Sequence, residues 1–176
     1  MCSSDLDKTW GREVSIPTDF DIGLSGLDIQ NSLIEWNRLR IRRADGRKLP
    51  RVEIDASLLV PSGYMGPAFL VYKNYRTTLV WNRSHLYALA VGHLSDRLIG
   101  LGALKRQPPE SDQPLRRADI ETFQNLLNAR GMDAGIPDGI LGPKTRAALR
   151  TYQKSEGLPP DGYPSKGIIE YLQSKF

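Results

Sequence analysis

The stretch GPAFLVYKNYRTTLVWNRSHLYALAVGHL, residues 66–94, changes its residue pattern near its middle. Residues 68–72 are apolar and aromatic and residues 75–81 are β-branched and aromatic, so both predict strands, with Lys73-Asn74 as a tight hairpin turn. From Ser84 onward apolar residues recur every three or four positions, which predicts an amphipathic helix with Ser84 as its N-cap. Those apolar residues are Leu86, Tyr87, Ala90, Val91, Leu94 and Leu98. Strands followed by a helix indicate an α+β fold.

Shorter patterns precede this stretch. Residues 13–16 alternate between polar and apolar side chains, as a half-buried strand does. Ser32-Leu33-Ile34-Glu35 has the spacing of a capping box, which predicts a short helix. Residues 39–42 alternate again and predict another strand, and Asp45-Gly46 then predicts a turn.

The chain after this stretch divides into a linker and a helical segment. Residues 100–117 are rich in Gly, Pro and polar residues, and we place the linker at 105–116. The apolar spacing after it predicts three helices over 117–176. Their ends are predicted from the left-handed or capping residues Gly131, Pro143, Gly157 and Ser165.

The helical segment repeats itself weakly. Pro137-Asp138-Gly139 leads into the second predicted helix, and Pro160-Asp161-Gly162 leads into the third. Each predicts a turn followed by a helix start. Asp-Gly turns are common before helices, so the repeat alone is weak evidence of function.

Composition excludes several classes of protein. The chain has 176 residues, and 24 Lys and Arg against 20 Asp and Glu give a net charge of +4. Its apolar and charged content excludes a disordered or collagen-like chain. A single cysteine excludes an internal disulfide framework, and His85 and His93 have no acidic motif between them. We therefore expect no metal site and no cofactor.

A basic run lies between positions 38 and 51. Its members are Arg38, Arg40, Arg42, Arg43, Arg47, Lys48 and Arg51. Alternation on a strand would place Arg38, Arg40 and Arg42 on one face, which we interpret as a solvated strand face. The alternative, nucleic-acid binding, needs aromatic platforms or base-reading side chains nearby and predicts steeply salt-dependent DNA binding. We find no such side chains and expect no nucleic-acid partner.

Residues 1–6, Met-Cys-Ser-Ser-Asp-Leu, resemble the translated end of a short-read sequencing adapter. We therefore expect them to be non-native and the chain to be an N-terminally truncated fragment. The alternative makes Cys2 a lipid-anchored cysteine, which needs an apolar signal segment before it.

Two stretches are similar to known families. Residues 66–94, together with Trp10-Gly11-Arg12-Glu13-Val14 and Phe20-Asp21, resemble the membrane-bound lytic murein transglycosylase B family. The stretch DGILGPKTRAA, residues 138–148, with the tail 153–162 is similar to the three-helix peptidoglycan-binding domain. The resemblance implies a truncated lysozyme-like transglycosylase domain, with a small β subdomain plus a helix, at 7–104. It implies a peptidoglycan-binding domain at 117–176.

The family resemblance implies a reaction. Such enzymes cleave the β-1,4 bond between N-acetylmuramic acid and N-acetylglucosamine and leave a 1,6-anhydro product. One glutamic acid protonates the leaving oxygen and then acts as base, which requires burial that keeps it protonated near neutral pH. The implied partner is the peptidoglycan glycan strand. The implied location is the periplasm or outer membrane of a Gram-negative-type bacterium, with membrane association through a missing N-terminus as one alternative.

The catalytic glutamate of this family lies in a Glu-Ser context on a helix. Here only Glu110 precedes a serine, and it lies among prolines in the predicted linker. We therefore expect that the chain lacks its general acid, is inactive alone, and exposes an apolar patch on its front half. The alternative is a non-catalytic peptidoglycan-binding protein whose front domain is a scaffold.

The resemblance also carries over candidate substrate-binding residues. Trp81, Asn82 and Tyr87 match an aromatic, an Asn and a Tyr that line the family's glycan groove. An indole can stack on a pyranose ring, and an amide or a phenol can hydrogen-bond the glycan. The alternative is structural: Asn82 as a strand-to-helix cap, with Trp81 and Tyr87 in the core.

In the second domain the motif residues are Asp138, Gly139, Gly142 and Thr145. Their first expected role is local: a tight turn, a close backbone approach and a helix start. Contact of this loop with peptidoglycan is a separate hypothesis. Tyr152 and Tyr163 are further candidates, with packing between helices as their alternative role.

Overall fold

A computed structural model describes residues 9–110 and 113–175, so residues 1–6, expected to be non-native, lie outside the described part. The described residues form two compact units. The first runs as far as Pro61 and continues over Gly66–Gln107. The second combines Ser62–Met65 with the described residues from Pro108 onward. We keep the linker boundaries at 105 and 116 as a proposal.

The first unit is built on a five-stranded antiparallel sheet in the order β2-β4-β5-β1-β3. Its strands are β1 (Gly11–Ser15), β2 (Asn31–Ser32), β3 (Arg42–Arg43), β4 (Asp55–Leu59) and β5 (Ala68–Val71). The central strand β5 is buried along its whole length, which explains its unbroken apolar run. The predicted strands at 13–16 and 68–72 are thus confirmed to within a residue or two.

The short helix α1 (Leu33–Arg38) follows β2 and confirms the capping-box prediction. Ser32 Oγ accepts from Glu35 N at 3.2 Å, and Trp36 is buried with its Nε1 donating to Ala56 O at 3.0 Å. The helix closes when Arg40 takes a left-handed φ of +64° and Ile41 N donates back to Trp36 O at 3.0 Å.

The predicted strand at 39–42 is therefore wrong, because most of that segment closes α1. Arg38, Arg40 and Arg42 do not share a strand face. Arg38 pairs with Glu35 at 2.9 Å, Arg40 pairs with Asp19, and Arg42 donates to Asn37 O at 3.0 Å.

The turn predicted at Asp45-Gly46 is confirmed, with Gly46 at φ +81°. Asp45 holds two more members of the basic run, Arg43 at 3.6 Å and Arg47 by a side-chain hydrogen bond. The bond from the Arg47 side chain, followed by its backbone N–H, lowers the pKa of Asp45 to about 2.

Two helices follow the sheet, α2 (Lys73–Trp81) and α3 (His85–Leu98). The predicted second hairpin strand at 75–81 is wrong, and residues 73–74 open a helix instead of a turn. Tyr75 and Leu79, four residues apart, pack on one side, so the run also fits a helical period. The hydroxyls of Thr77 and Thr78 donate to carbonyls four residues earlier at 3.3 and 3.2 Å, which accommodates β-branched residues in a helix.

The helix predicted from Ser84 is confirmed, and Ser84 Oγ accepts from Tyr87 N at 3.3 Å. Its buried residues are Ala88, Leu89 and Gly92, which are mostly small. The larger apolar residues of the predicted face are exposed.

The second unit contains α4 (Arg117–Ala129), α5 (Pro143–Ser155) and α6 (Lys166–Gln173), as predicted. Gly131 and Gly157 follow α4 and α5 at φ +75° and +69°, and Ser165 caps α6. The helices enclose one core, made of Phe123, Leu127, Ala134, Ala148, Leu149, Tyr152, Ile169 and Leu172. The α+β class is thus confirmed, with a sheet in the first unit and helices in the second.

Candidate functional site

The first candidate site is the turn that joins α2 to α3. Trp81 ends α2, Asn82 follows it, and Tyr87 lies in the first turn of α3. Asn82 Oδ1 accepts from Ser84 N at 2.9 Å, and Ser84 in turn caps Tyr87 N. None of the described residues accepts from Asn82 Nδ2, so this amide has two N–H groups to offer a ligand.

The aromatic side chains of this turn face solvent. Trp81 is 92% exposed and Tyr87 is 46% exposed. These exposures exclude the alternative in which both residues pack in the core. Asn82 does act as a cap, but at the end of a helix, where its N–H donates to Thr78 O at 3.1 Å. Contact of the three side chains with sugar stays a prediction.

An apolar surface continues from this turn along α3. Its exposed members are Val80, Leu86, Val91, Leu94, Leu98 and Ile99. The apolar patch predicted for the front half is thus confirmed. Large apolar side chains gathered on one face of a unit mark a contact surface.

A buried tryptophan fixes the position of α3. Trp10 Nε1 donates to Asp96 Oδ2 at 3.0 Å, and Arg12 lies 3.5 Å from the same carboxylate. Gly92 lies flat on the Trp10 ring, where a Cβ would overlap the indole. A glycine in the middle of an amphipathic helix was the one sequence signal for this contact, and sequence reasoning missed it.

A tyrosine–histidine pair fixes the angle between α2 and α3. The hydroxyl of Tyr75 lies 3.1 Å from His85 Nδ1 and donates to His85 O at 3.2 Å. Burial raises the pKa of Tyr75 from 10.0 to about 12, so the hydroxyl keeps its proton at alkaline pH where a solvent-exposed tyrosine ionises. His85 thus has a structural role beside the turn.

The second candidate site is the Asp-Gly turn before α5. Asp138 Oδ1 accepts from Ile140 N at 2.8 Å and from Gln124 Nε2 at 3.1 Å. These two bonds, the first one foremost, lower the pKa of Asp138. Gly139 has φ +70°, and a Cβ there would overlap Arg117. This turn therefore requires glycine for two reasons.

Gln124 organises this turn and was missed by sequence reasoning, since a glutamine in a helix usually faces solvent. It is buried, and its Oε1 accepts from Gly139 N at 2.9 Å. Its Nε2 lies 3.1 Å from both Ile140 O and Thr145 Oγ1. Thr145 is buried too and donates to Ala134 O at 3.1 Å.

The other candidate residues of this unit differ in burial and in surroundings. Gly142 caps α5 at φ −84°, and a Cβ there would meet nothing within 4 Å, so nothing around it requires a glycine. Tyr152 is fully buried in the core, which excludes it from ligand contact in this fold. Tyr163 is partly buried beside Asp161.

The second Asp-Gly turn repeats the first in atomic detail. Gln153 Oε1 accepts from Gly162 N at 2.8 Å, and its Nε2 donates to Asp161 Oδ1 at 2.7 Å. Gly162 has φ +66°. The helices that carry the two glutamines also align, RADIETFQ at 117–124 with RAALRTYQ at 146–153. The unit therefore contains an internal duplication, of which the sequence pattern showed only the turns.

Among the described residues, no group of three or more His, Cys, Asp or Glu is arranged to hold a metal ion. Within the same ranges, no helix has the length and apolar character that a bilayer crossing needs. Both candidate sites are instead made of aromatic, amide, carboxylate and backbone groups. Such groups suit binding of a polar, uncharged or peptide-like ligand.

Comparison with protein families assigns both units. Residues 5–96 match the transglycosylase SLT domain, and residues 116–172 match the "Putative peptidoglycan binding domain". The chain belongs to the SLT transglycosylase family. The resemblance seen in the sequence is therefore confirmed.

Solved structures of SltB3 from Pseudomonas aeruginosa are similar to this SLT-family chain over nearly its whole length. The complex with NAG-anhNAM-pentapeptide has a TM-score of 0.89 and 42% identity over 94% of this chain. The complex with NAG-NAM-pentapeptide has a TM-score of 0.88 and 43% identity over 93% of this chain. This chain covers only 44% of the SltB3 chain in either case.

Two curated cyanobacterial proteins share a shorter similarity with this SLT-family chain. "Putative OxPP cycle protein OpcA" from Synechococcus elongatus is 39% identical over 56 residues, and that from Nostoc punctiforme is 43% identical over 56 residues. Each similarity covers 32% of this chain and 13% or 12% of the relative. The chain thus spans a small part of these relatives and less than half of SltB3.

Proposed function

We propose that this chain is part of a lytic transglycosylase that cleaves the β-1,4 bond between N-acetylmuramic acid and N-acetylglucosamine. The products are 1,6-anhydro-muramyl fragments, and the second unit holds the protein on the wall. The observation that carries this proposal is the exposed Trp81-Asn82…Tyr87 turn within a matched transglycosylase domain. The periplasm or outer membrane is the location that fits this substrate.

Each side chain of the turn has a role in holding the glycan. The Trp81 indole stacks on a pyranose ring, because its face is open to solvent. The Asn82 amide donates to an N-acetyl or hydroxyl oxygen, and its own Oδ1 is fixed by Ser84 N at 2.9 Å. The Tyr87 hydroxyl bonds the glycan or orients the general acid.

The general acid is proposed to lie outside this chain. None of the seven glutamates is buried, whereas the general acid of this reaction needs a buried site that keeps it protonated. Glu13 is further committed to the backbone N–H groups of Lys105 and Arg106, both at 2.7 Å. The chain alone is therefore proposed to be inactive, and the apolar face of α3 is where the rest of a transglycosylase domain packs.

The lack of a buried glutamate also favours a second candidate, a non-catalytic peptidoglycan-binding protein. In that case the first unit is a scaffold. The two candidates differ in the Trp81-Asn82 turn, which holds glycan only in the first.

Sedimentation with isolated peptidoglycan sacculi tests both. We expect the wild-type chain to pellet with sacculi and a Trp81→Ala/Asn82→Ala double variant to pellet less. Val80→Ala, which truncates an equally exposed neighbour, is the matched control and keeps wild-type retention. A wild-type chain that stays in the supernatant contradicts wall binding altogether. Equal retention of the double variant favours the scaffold candidate.

A further inference from the structure

The two equivalent Asp-Gly turns of the second unit differ in what they hold. Tyr64 N, from the segment Ser62–Met65 of this unit, donates to Asp161 Oδ2 at 2.8 Å. In the other copy Asp138 uses Oδ1 for the same internal bonds, and none of the described residues donates to its Oδ2. One copy thus binds a peptide N–H, and the same acceptor is open in the other.

The peptide bound by Asp161 has an unusual backbone. Gly63, which precedes the donating N–H, has φ +67°. An L-Cβ there would lie 2.6 Å from Asp161 Oδ2 and 2.9 Å from Tyr163 Cβ. L-residues disfavour this region because of their chirality, whereas D-residues adopt it readily. The occupied copy therefore accepts glycine or a D-residue and rejects an L-residue.

The open copy has apolar surface beside its acceptor. Ile140 stands where the occupied copy has Tyr163, and it is 62% exposed. Ile136, before the turn, is 82% exposed. Arg117 Nε donates to Asp138 O at 3.0 Å and holds the turn in place. A carboxylate oxygen in a turn with an exposed isoleucine two residues before it and another two residues after it fits a peptide N–H next to a small apolar side chain.

We propose that Asp138 Oδ2, with Ile136 and Ile140, binds the backbone N–H that follows a D-amino acid in the stem peptide of peptidoglycan. Stem peptides carry D-alanine followed by a further amide, and ribosomal peptides contain no D-residue. The proposal rests on the proposed wall-binding function and names the part of the wall that this unit recognises.

A titration of the full chain followed by methyl NMR tests the assignment. The probes are Nα-acetyl-L-Lys-D-Ala-D-Ala amide and its all-L diastereomer, which carry the same charge and composition. We expect the D-peptide to shift the Ile136 and Ile140 methyl signals. We expect the all-L peptide to bind at least about tenfold more weakly, since its backbone disfavours a positive φ.

Asp138→Asn removes only the open acceptor. The Asn Oδ1 still accepts from Ile140 N and Gln124 Nε2, which orients the amide, so an NH₂ group replaces Oδ2. We expect about tenfold or greater loss of affinity, the size of one hydrogen bond to a charged group. Asp133→Asn changes the net charge equally near the same loop, where Asp133 holds Lys144 at 3.3 Å, and it keeps wild-type affinity.

Equal affinity for the two diastereomers overturns the proposal, as does unchanged binding by Asp138→Asn. The same holds if neither peptide shifts the two isoleucine methyls. A chain that sediments with sacculi but ignores the D-peptide loses this assignment and keeps the proposed function. A chain that does not sediment contradicts the proposed function itself.

Discussion

At the residue scale, the first Asp-Gly turn of the second unit, Asp138-Gly139, depends on its glycine. Gly139 has φ +70°, and an added Cβ would lie 2.7 Å from Arg117 O. Because the carbonyl oxygen of Arg117 belongs to the backbone, it cannot move out of the way as the end of a flexible side chain can. The hydrogen bond that Gln124 Oε1 accepts from Gly139 N, together with the contacts of its Nε2 with Asp138, Ile140 and Thr145, holds the turn against relaxation.

We expect Gly139→Ala to lower the free energy of unfolding of the second unit by about 2 to 4 kcal/mol, from left-handed strain plus overpacking. Urea denaturation followed by circular dichroism measures it. Gly142→Ala is the matched control, since its φ is −84° and its surroundings are open, and it changes stability by less than about 0.5 kcal/mol. Equal loss in both variants would contradict the close-contact explanation.

Residue types with a strong local signature could be predicted, and residues defined by tertiary contact could not. The solvent exposure of Trp81 and Tyr87 agrees with the sequence resemblance, while contact of these residues and Asn82 with sugar stays a prediction. Gln124 was missed because its role depends on a loop that reaches it from 15 positions away. Burial of a polar side chain in a helix has no local signal in one sequence.

At the element scale, α3 can approach β1 only because it has no side chain at Gly92. The Trp10 ring lies where a Cβ would be, and Asp96, one turn further along α3, accepts from the indole N–H at 3.0 Å. The contact sets the position of α3 and, with it, the side chain of Tyr87.

We expect Gly92→Ala to lower the free energy of unfolding of the first unit by about 1 to 3 kcal/mol, since ring and helix must separate. Tryptophan fluorescence during denaturation reports it. Gly102→Ala, a glycine with nothing within 4 Å of an added Cβ, serves as the control and stays near wild type. Wild-type stability in Gly92→Ala would show that the helix does not pack on Trp10 in this way.

Alkaline pH tests the packing beneath α2. Burial raises the pKa of both Tyr72 and Tyr75 from 10.0 to about 12. Between pH 10 and 12 these two tyrosine hydroxyls lose their protons in the unfolded chain and keep them in the folded chain. The free energy of unfolding therefore falls as the pH rises from 10 to 12. We expect a shallower fall in Tyr75→Phe, measured by urea denaturation from pH 9 to 11.5. An identical slope in wild type and variant would contradict a buried neutral Tyr75.

Helices that begin with a capping residue could be predicted, and elements whose structure depends on tertiary packing could not. Caps at Ser32, Ser84 and Ser165 placed three helices. The segment 75–81 has β-branched residues that fit a strand locally, but the buried Tyr75 and the partly buried Leu79 follow a helical period. In this segment the strand propensity of the β-branched residues disagrees with the spacing of the core residues, and core packing determines that the segment is a helix.

At the scale of the whole molecule, the described residues have separate cores in the two units. The second unit encloses the side chains of α4, α5 and α6, and the first encloses those of the sheet and its helices. The first unit also leaves the apolar face of α3 open. A small unit with much exposed apolar surface melts early and aggregates.

We expect calorimetry of the chain to give two unfolding transitions, because the cores of the two units share no residues. Gly92→Ala should lower the transition of the first unit and Gly139→Ala that of the second. A single transition that either variant lowers equally would contradict two independently folding units.

The family assignment and the α+β class could be predicted from the sequence, because glycine turns, caps and aromatic positions are local. The internal repeat was visible in the sequence only as two Asp-Gly turns, and the matching contacts of Gln124 and Gln153 became apparent only in the structure. The open acceptor on Asp138 is visible only when the two copies are compared in three dimensions.

The central proposal is that this chain holds peptidoglycan and that the general acid for cleavage lies outside it. Incubation of the purified chain with isolated sacculi, followed by mass spectrometry of released muropeptides, tests it most directly. The account predicts that the chain pellets with the sacculi and releases no 1,6-anhydro product. Release of such products by the wild type, lost in Tyr87→Phe/Asn82→Ala, would show that a general acid is present and would contradict the claim.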